Sequence, residues 1–443
     1  MTRRPLALAL TERRRLRFTT LVALYVGQGI PQGLLVVALP AYLAERGASA
    51  AEVGGYVGLV LLPFALKALV APLLDRFTYA PMGRRRPWVL AAGAGVAGAF
   101  VGLSLAPEAL AVLTAWGVAV NAAVAVLDAA VDGMAVDVLE VEEQPRANAL
   151  MWGGATAGVA VSAVVTARLL DAGGVSLAAG VVAAVLAALL AIPAVVRERP
   201  GERLLPWTAG GATGAASSRP GGWRPLVRAL WAAATRPASL WLLGVAAAAG
   251  ALDGLVIAFM PVLAVGELGW SDTGYADLVA LGQVAAGLIG MAVGSVLIGR
   301  VGRVRMLVAM GVGLVAVLAA MASASAWWGA APTLIAFALS YLIAFVLLTI
   351  TVLATGMALC GPAIAATQFA LFTTAMNLGR SSGSGLLNVL DGGLGPSGIL
   401  AAAAALAAVV AALASRIDVD AHRRWLARTT AVAGPLTGPA DVH

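Results

Sequence analysis

Long apolar segments dominate the chain and alternate with short segments that carry most of its charge. About 20 apolar residues in an α-helix cross the roughly 30 Å of hydrocarbon in a bilayer, because each residue adds about 1.5 Å. We therefore expect twelve transmembrane helices. They lie near residues 18–43, 53–74, 87–106, 109–136, 147–169, 175–196, 239–265, 275–299, 304–323, 331–357, 364–389 and 395–415.

The arginines between these spans predict the orientation of the chain. They concentrate in the N-terminal segment, in alternate loops and in the C-terminal tail, whereas the opposite loops hold only Arg46 and Arg168. Cytoplasmic loops of membrane proteins are enriched in Arg and Lys. The pattern predicts a multi-pass protein of the inner (plasma) membrane with both termini cytoplasmic.

One long polar segment divides the spans into two sets of six. Residues 208–222 are mostly Gly, Ala, Ser and Pro, a composition typical of a flexible linker. A similar tripeptide, Gly47-Ala48-Ser49 or Gly269-Trp270-Ser271, precedes the second and the eighth span, which indicates an internal repeat. We predict an N-terminal tail (1–17), a six-helix bundle (18–196), a cytoplasmic linker (197–238), a second six-helix bundle (239–415) and a C-terminal tail (416–443).

Composition agrees with an all-α integral membrane protein. Hydrophobic residues make up 61% of the chain, charged residues 12%, and the mean hydropathy is +0.92, whereas soluble domains are about half apolar and about a quarter charged. The net charge of +7 does not indicate a nucleic-acid partner, because the arginines lie between apolar spans. With one cysteine and no phosphate-binding loop, we predict no metal site, no cofactor, no ATP-driven step and no enzyme activity.

Several short motifs carry a family resemblance. They read LYVGQGIPQGL (24–34), LLPFALK (61–67), APLLDR (71–76), DAAVDG (128–133), TQF (367–369) and NLGR (377–380). Together they resemble the AmpG-type branch of the major facilitator superfamily, which includes muropeptide permeases, acetyl-coenzyme-A transporters and some siderophore importers. The resemblance covers the chain apart from the linker and tails. It implies two six-helix bundles in the major facilitator fold and a transport function.

The loop after the second span resembles the signature loop of that superfamily. The resemblance implies a gating role for a set of charged residues, namely Asp75, Arg76, Arg84, Arg85 and Arg86. The three consecutive arginines fit equally well as simple topological anchors. The second half lacks the acidic residue of the signature, since Gly299 stands there.

Five ionisable residues fall inside predicted spans: Lys67, Asp128, Asp132, Asp253 and Arg380. A charge at this depth is costly, so each is a functional candidate that needs a partner. Counted along their helices, the first three lie level with one another and the last two lie level deeper in the membrane. We predict that Lys67 pairs with Asp128 or Asp132, and that Asp253 pairs with Arg380; a purely structural role for either pair stays open.

Uncharged polar side chains also occur within the spans. The candidates for a cavity lining or solute contact are Gln28, Gln32, Asn121, Gln368, Asn377 and, more weakly, Tyr341. Polar groups that line a wet cavity avoid the cost of burial in hydrocarbon. Each of them alone could equally be a contact between packed helices.

These observations favour a secondary active transporter that moves a small polar or anionic solute by alternating access, with the site between two rocking bundles. We expect it to act as a monomer in the lipid bilayer and to be coupled to protons, with Asp128 or Asp132 as proton carrier and Arg380 or Lys67 as contact for an anionic solute. Two alternatives remain: a drug or metabolite exporter on the same fold, and a transport-inactive membrane sensor.

Overall fold

Thirteen α-helices form most of the part of the chain that the structure describes. A computed structural model describes residues 8–425 except 66, 68–69, 71–72, 75–76, 141–142, 213–230, 233, 291–292, 294 and 361–364. The helices are α1 (Arg14–Gln32), α2 (Leu39–Glu45), α3 (Ala50–Ala65), α4 (Arg86–Ser104), α5 (Leu110–Val138), α6 (Gln144–Val195), α7 (Pro237–Pro261), α8 (Asp272–Ile289), α9 (Ser295–Val301), α10 (Arg303–Ser323), α11 (Ala331–Leu359), α12 (Ala365–Leu390) and α13 (Pro396–Ala414).

The helices follow the predicted spans closely. Within the described residues, eight helical segments are long and apolar enough to cross a membrane, and the longest of these is Leu150–Val195. That segment has 46 residues, which is enough for two crossings at about 20 residues each. The all-α membrane fold is therefore confirmed, and the described helices are consistent with twelve crossings.

A glycine pair divides α6 where the fifth and sixth predicted spans meet. Gly174 has a φ of 66°, a left-handed conformation that glycine adopts without steric cost. The carboxylate of Glu108 accepts the backbone N–H of Val175 at 2.8 Å and so satisfies a free donor at the start of the second crossing. The chain can reverse direction here without an intervening loop.

Each half of the chain begins with a helix that contains a proline and then a π-helical turn. Pro31 lies near the end of α1 and the turn Gly33–Ala38 joins α1 to α2. Pro261 ends α7, and the turn Val262–Glu267 follows it directly. A proline cannot donate its backbone hydrogen bond, and π-turns are rare. The recurrence at an offset of 230 residues adds structural evidence for the internal repeat.

Glycines bring the helices of each half into backbone contact. In the C-terminal half (residues 231–425), α7 and α12 pack most extensively. A Cβ atom at Gly250 or Gly254 would overlap a carbonyl oxygen of α12, and one at Gly379 or Gly383 would overlap a carbonyl oxygen of α7. In the N-terminal half (residues 8–212), Gly158 of α6 approaches α1 in the same way. Small residues permit such close packing in membranes.

We name the two ends of the molecule by the loops that lie there. The near face holds residues 77–85, 139–140, 143 and 196–212, and the far face holds residues 46–49, 105–109, 268–271 and 391–395. The two halves meet through α3 against α12 and α6 against α8. The backbone N–H of Ala51 donates to Asp391 across this junction at 3.1 Å. Arg168 and Asp277 form an ion pair across it at 2.9 Å. Both contacts hold the halves together toward the far face.

Replacing Gly383 with Ala should destabilise the protein, because the added Cβ would overlap the carbonyl oxygen of Ala251. Overpacking of this kind costs about 1–3 kcal/mol, and the midpoint of thermal unfolding should fall by several degrees. Gly385→Ala is the matched control on the same helix, since open space surrounds its Cβ position. Equal midpoints for the two variants would contradict the proposed α7–α12 contact.

Candidate functional site

The first charged cluster joins three helical segments of the N-terminal half. Nζ of Lys67, which lies beyond the end of α3, is 2.5 Å from Oδ2 of Asp128 and 2.7 Å from Oδ2 of Asp132. The hydroxyl of Tyr25 on α1 donates to Oδ1 of Asp132. Residues four apart share one side of a helix, so α5 presents both carboxylates to the same ammonium group. The predicted pairing is present, and the lysine binds both acids.

Tyr25 is a member of this cluster that the sequence did not predict. It lies in the motif at residues 24–34, where we singled out only Gln28 and Gln32. The side chains of the cluster are incompletely buried, with 25% of Lys67, 19% of Asp128 and 42% of Asp132 exposed. The ion pairs are therefore reachable from outside the protein core.

The second charged cluster lies in the C-terminal half. Arg380 on α12 donates from Nε to Oδ2 of Asp253 on α7 at 2.5 Å, and a second guanidinium nitrogen contacts the same oxygen. The hydroxyl of Tyr341 on α11 lies 3.5 Å from Oδ1 of Asp253. Asp253 is buried, whereas 37% of the Arg380 side chain is exposed. The predicted pair is present, and the hydroxyl of Tyr341 contacts its aspartate.

The two clusters share a chemical plan. In each, an aspartate is held on one side by a cation and on the other by a tyrosine hydroxyl. Hydrogen bonds to an ionised group are stronger than neutral ones, so loss of the carboxylate charge weakens both contacts at once. Protonation of the acid would thus weaken its hold on the cation, although Lys67 would keep its second aspartate as a partner.

The amide side chains have mixed surroundings. Gln32 donates to Asn121 at 2.8 Å, and Asn121 donates to the Val60 carbonyl at 2.7 Å, so this pair links α1, α5 and α3. Gln368 donates to the Leu359 carbonyl at 3.1 Å. These three side chains make contacts between packed segments. Gln28 is buried and its Nε2 has no partner among the described residues. Asn377 is half-buried on α12.

The arginines of the predicted gating loop bind within the N-terminal half. The backbone N–H groups of Arg84, Arg85 and Arg86 all donate to the carboxylate of Glu198. The guanidinium of Arg86 donates to the carbonyl oxygens of Pro193 and Ala194, and Arg85 pairs with Asp137 at 3.1 Å. The remaining predicted gating residues, Asp75 and Arg76, lie outside the described residues.

Glu198 is a second residue that the sequence did not single out. Its carboxylate holds three successive backbone donors in place, which fixes the turn before α4. Burial raises the pKa of Glu198 above its ordinary value, although the three hydrogen bonds oppose that shift. The beginning of the predicted linker is therefore bound to the N-terminal half.

Lys67→Met should destabilise the protein more than removal of one of its acids does. The variant leaves Asp128 and Asp132 close together without a cation, and a partly buried charge that loses its partner destabilises the folded state. The double variant Lys67→Met/Asp132→Asn should recover part of that loss. Unfolding midpoints in detergent would check both expectations.

The exposed pair of Arg168 and Asp277 provides the control for that measurement. About half of each side chain is exposed, and such exposed pairs contribute little to stability because solvent screens them. Arg168→Gln should therefore change the midpoint much less than Lys67→Met does. A drop as large as that of Lys67→Met would show that the Lys67 cluster has no special stabilising role.

Two crystal structures of the nucleoside transporter NupG, one of them a mutant, share this fold. The mutant superposes with a TM-score of 0.69 at 14% identity, covering 90% of this chain and all of that one. The other has a TM-score of 0.68 at 12% identity and covers 90% of this chain and 98% of that one. At this level of identity the likeness shows a common fold.

Sequence relatives match short segments only. An uncharacterized protein of Haemophilus influenzae is 44% identical over 62 residues, which is 14% of each chain. An uncharacterized protein of Schizosaccharomyces pombe is 32% identical over 81 residues, which is 18% of this chain and 15% of that protein. The matches thus span about one seventh of the length of these curated relatives.

The family model of the Major Facilitator Superfamily matches residues 21–384. This range runs from α1 to α12 and includes both charged clusters. The chain belongs to the Major Facilitator Superfamily of membrane transporters.

Proposed function

We propose that this transporter is a secondary active carrier that couples a small polar or anionic solute to protons by alternating access. The observation that supports it best is the presence of one acid–cation–tyrosine cluster in each half of the molecule. Charged residues within membrane helices are rare and commonly mark ion, proton or solute pathways. Alternating access by two rocking bundles needs a solute site to which both halves contribute residues.

The depth of the clusters supports access to water rather than to lipid. Asp128 lies ten residues before the end of α5 and Asp253 lies sixteen residues after the start of α7, which corresponds to about 15 Å and about 24 Å of helix. Lys67, Asp132 and Arg380 are each at least one quarter exposed. Exposure of charge to hydrocarbon is costly, so these side chains are best explained as facing a wet pathway.

Asp132 is our candidate for the proton carrier. Both of its oxygens are engaged, one by Lys67 and the other by Tyr25, and it is more exposed than Asp128. When Asp132 takes a proton, its attraction for Lys67 is lost and the ammonium keeps only Asp128. Uptake of a proton in this way removes the excess negative charge of the cluster and frees part of the ammonium group for an anionic group of the solute.

Arg380 is our candidate for a second solute contact. Its guanidinium has five N–H donors in a planar arrangement, and the Asp253 oxygen occupies only one side of it. A carboxylate or phosphate of the solute could bind the remaining donors. Resemblance to muropeptide permeases, acetyl-coenzyme-A transporters and siderophore importers suggests anionic solutes, and the NupG structures add nucleosides as candidates.

We also propose that the near face is cytoplasmic. It carries Arg84, Arg85 and three further arginines, Arg197, Arg199 and Arg203, whereas the far-face segments hold Arg46. The positive-inside rule favours this orientation in an inner membrane. The chain would act as a monomer, since both bundles of the transport unit belong to one polypeptide.

Reconstituted vesicles with an acidic outside should accumulate the correct solute several-fold above vesicles without a pH gradient. The panel would contain muropeptides, acyl-coenzyme A, ferric siderophores and nucleosides. An uncoupler should reduce uptake to the level without a gradient. Gradient-stimulated efflux of apolar compounds, with no uptake of any panel member, would instead identify an exporter.

Asp132→Asn should abolish uphill uptake and leave solute exchange close to that of the wild type, because the amide keeps the shape of the side chain but cannot take up the coupled proton. Asp420→Asn removes an exposed acid of the C-terminal segment and serves as the control with full activity. Proton-driven accumulation by the Asp132 variant would exclude this residue as the carrier.

A further inference from the structure

Three acidic side chains converge where the two halves meet at the far face. Glu45 ends α2, Asp171 lies at the division of α6, and Asp272 is the first residue of α8. One carboxylate oxygen from each lies within 4.8 Å of the other two. Two of these acids belong to the N-terminal half and one to the C-terminal half. The cluster therefore lies across the junction between the halves.

The buried member of this cluster lacks a partner for one oxygen. Asp272 is only 1% exposed. Its Oδ1 accepts the N–H of Thr273 at 2.5 Å, whereas its Oδ2 has no hydrogen-bond partner within the described part of the chain. A buried carboxylate oxygen that is left unpaired is costly. Its position beside two further carboxylates indicates that something is bound there in the working protein.

The neighbouring cations are engaged elsewhere. Both terminal nitrogens of Arg168 donate to Asp277 at 2.9 Å, although its charge also acts on Asp171. The guanidinium of Arg46 lies over the ring of Tyr42, 3.4 Å from its centroid. Burial, followed by the charges of Glu45 and Asp171, raises the pKa of Asp272 to about 6. Within the described residues, no direct ion pair balances the negative charge of the cluster.

We propose that Glu45, Asp171 and Asp272 bind a divalent cation of the calcium type and that this ion links the two halves at the far face. Ca²⁺ prefers oxygen ligands at about 2.3–2.6 Å, so oxygens on opposite sides of the ion are about 5 Å apart. The observed separation fits within such a shell. Mg²⁺ needs shorter bonds, about 2.0–2.1 Å, and a stricter octahedron, so Ca²⁺ suits the cluster better.

The site should be weak and should favour one conformation. Three protein ligands leave several positions for water, and two of the three acids are exposed, so we expect a dissociation constant in the range of about 10⁻⁴ to 10⁻³ M, as in extracellular calcium modules. Because its ligands come from both halves, the ion binds fully only when the far face is closed. Calcium should therefore stabilise the far-closed state, independently of which solute is carried.

Calorimetric titration of the purified full-length chain in detergent with CaCl₂ at neutral pH tests the proposal. We expect one saturable site per chain and a rise in the unfolding midpoint. Asp272→Asn and Asp171→Asn should each weaken binding by tenfold or more. Asparagine is isosteric and removes a repulsion, so the variants should remain folded. Asp391→Asn, which alters another acid at the far-face junction, should bind calcium like the wild type.

Three results would overturn the calcium site: no saturable binding at millimolar calcium, equal binding by the wild type and both cluster variants, or equal loss in Asp391→Asn. Absence of calcium binding together with a pH-dependent midpoint that Asp272→Asn removes would show that the acids share a proton instead. None of these readouts involves transport. The calcium site can therefore be disproved while the proposed carrier function holds, and the carrier function can be disproved while the calcium site holds.

Discussion

The membrane interior cannot solvate an ionised group, and this constraint determines the arrangement of the polar residues in this protein. Within the spans of the described chain, the charges predicted to need partners have them: Lys67 with two aspartates, and Asp253 with Arg380. The same constraint acts on the backbone, because an exposed carbonyl or N–H group in hydrocarbon costs several kcal/mol. The irregular positions of the helices therefore coincide with glycines, prolines and polar side chains that satisfy the affected groups.

Close backbone contact within each half provides the rigid bodies that a transporter of this kind moves. Along α7 and α12, glycines face the carbonyl oxygens of the opposing helix in alternation, so that neither helix can shift along the other without steric overlap. Arg380 lies between Gly379 and Gly383 on α12. The α7–α12 contact that makes the half rigid thus also fixes the distance between Arg380 and Asp253.

The fold could be predicted from the sequence because high hydropathy and scarce charge mark the membrane-spanning helices. The length of the apolar segments predicted the spans. The two ion pairs could be predicted because few oppositely charged residues lie at the same depth in the membrane. Tyr25 escaped because a tyrosine hydroxyl within a span carries no charge that needs a partner. Glu198 and the Glu45–Asp171–Asp272 cluster escaped because acids outside the predicted spans can be solvated, so the sequence indicates no particular partner for them. The roles of the Lys67 and Arg380 clusters in transport stay predictions.

Contacts between the halves differ in kind from those within them. At the junction, the Arg168–Asp277 pair is about half exposed and contributes little because solvent screens it. The hydroxyl of Ser381 donates to the Gly58 carbonyl at 2.5 Å, and a neutral hydrogen bond of this kind contributes about 1 kcal/mol. Three converging carboxylates oppose these contacts unless a cation or proton neutralises them. A far face closed by a few weak contacts and opposed by like charge can open at small energetic cost, whereas the glycine-packed halves cannot deform. Motion between the halves is therefore the response that this structure favours when the charge at the junction or in the pathway changes.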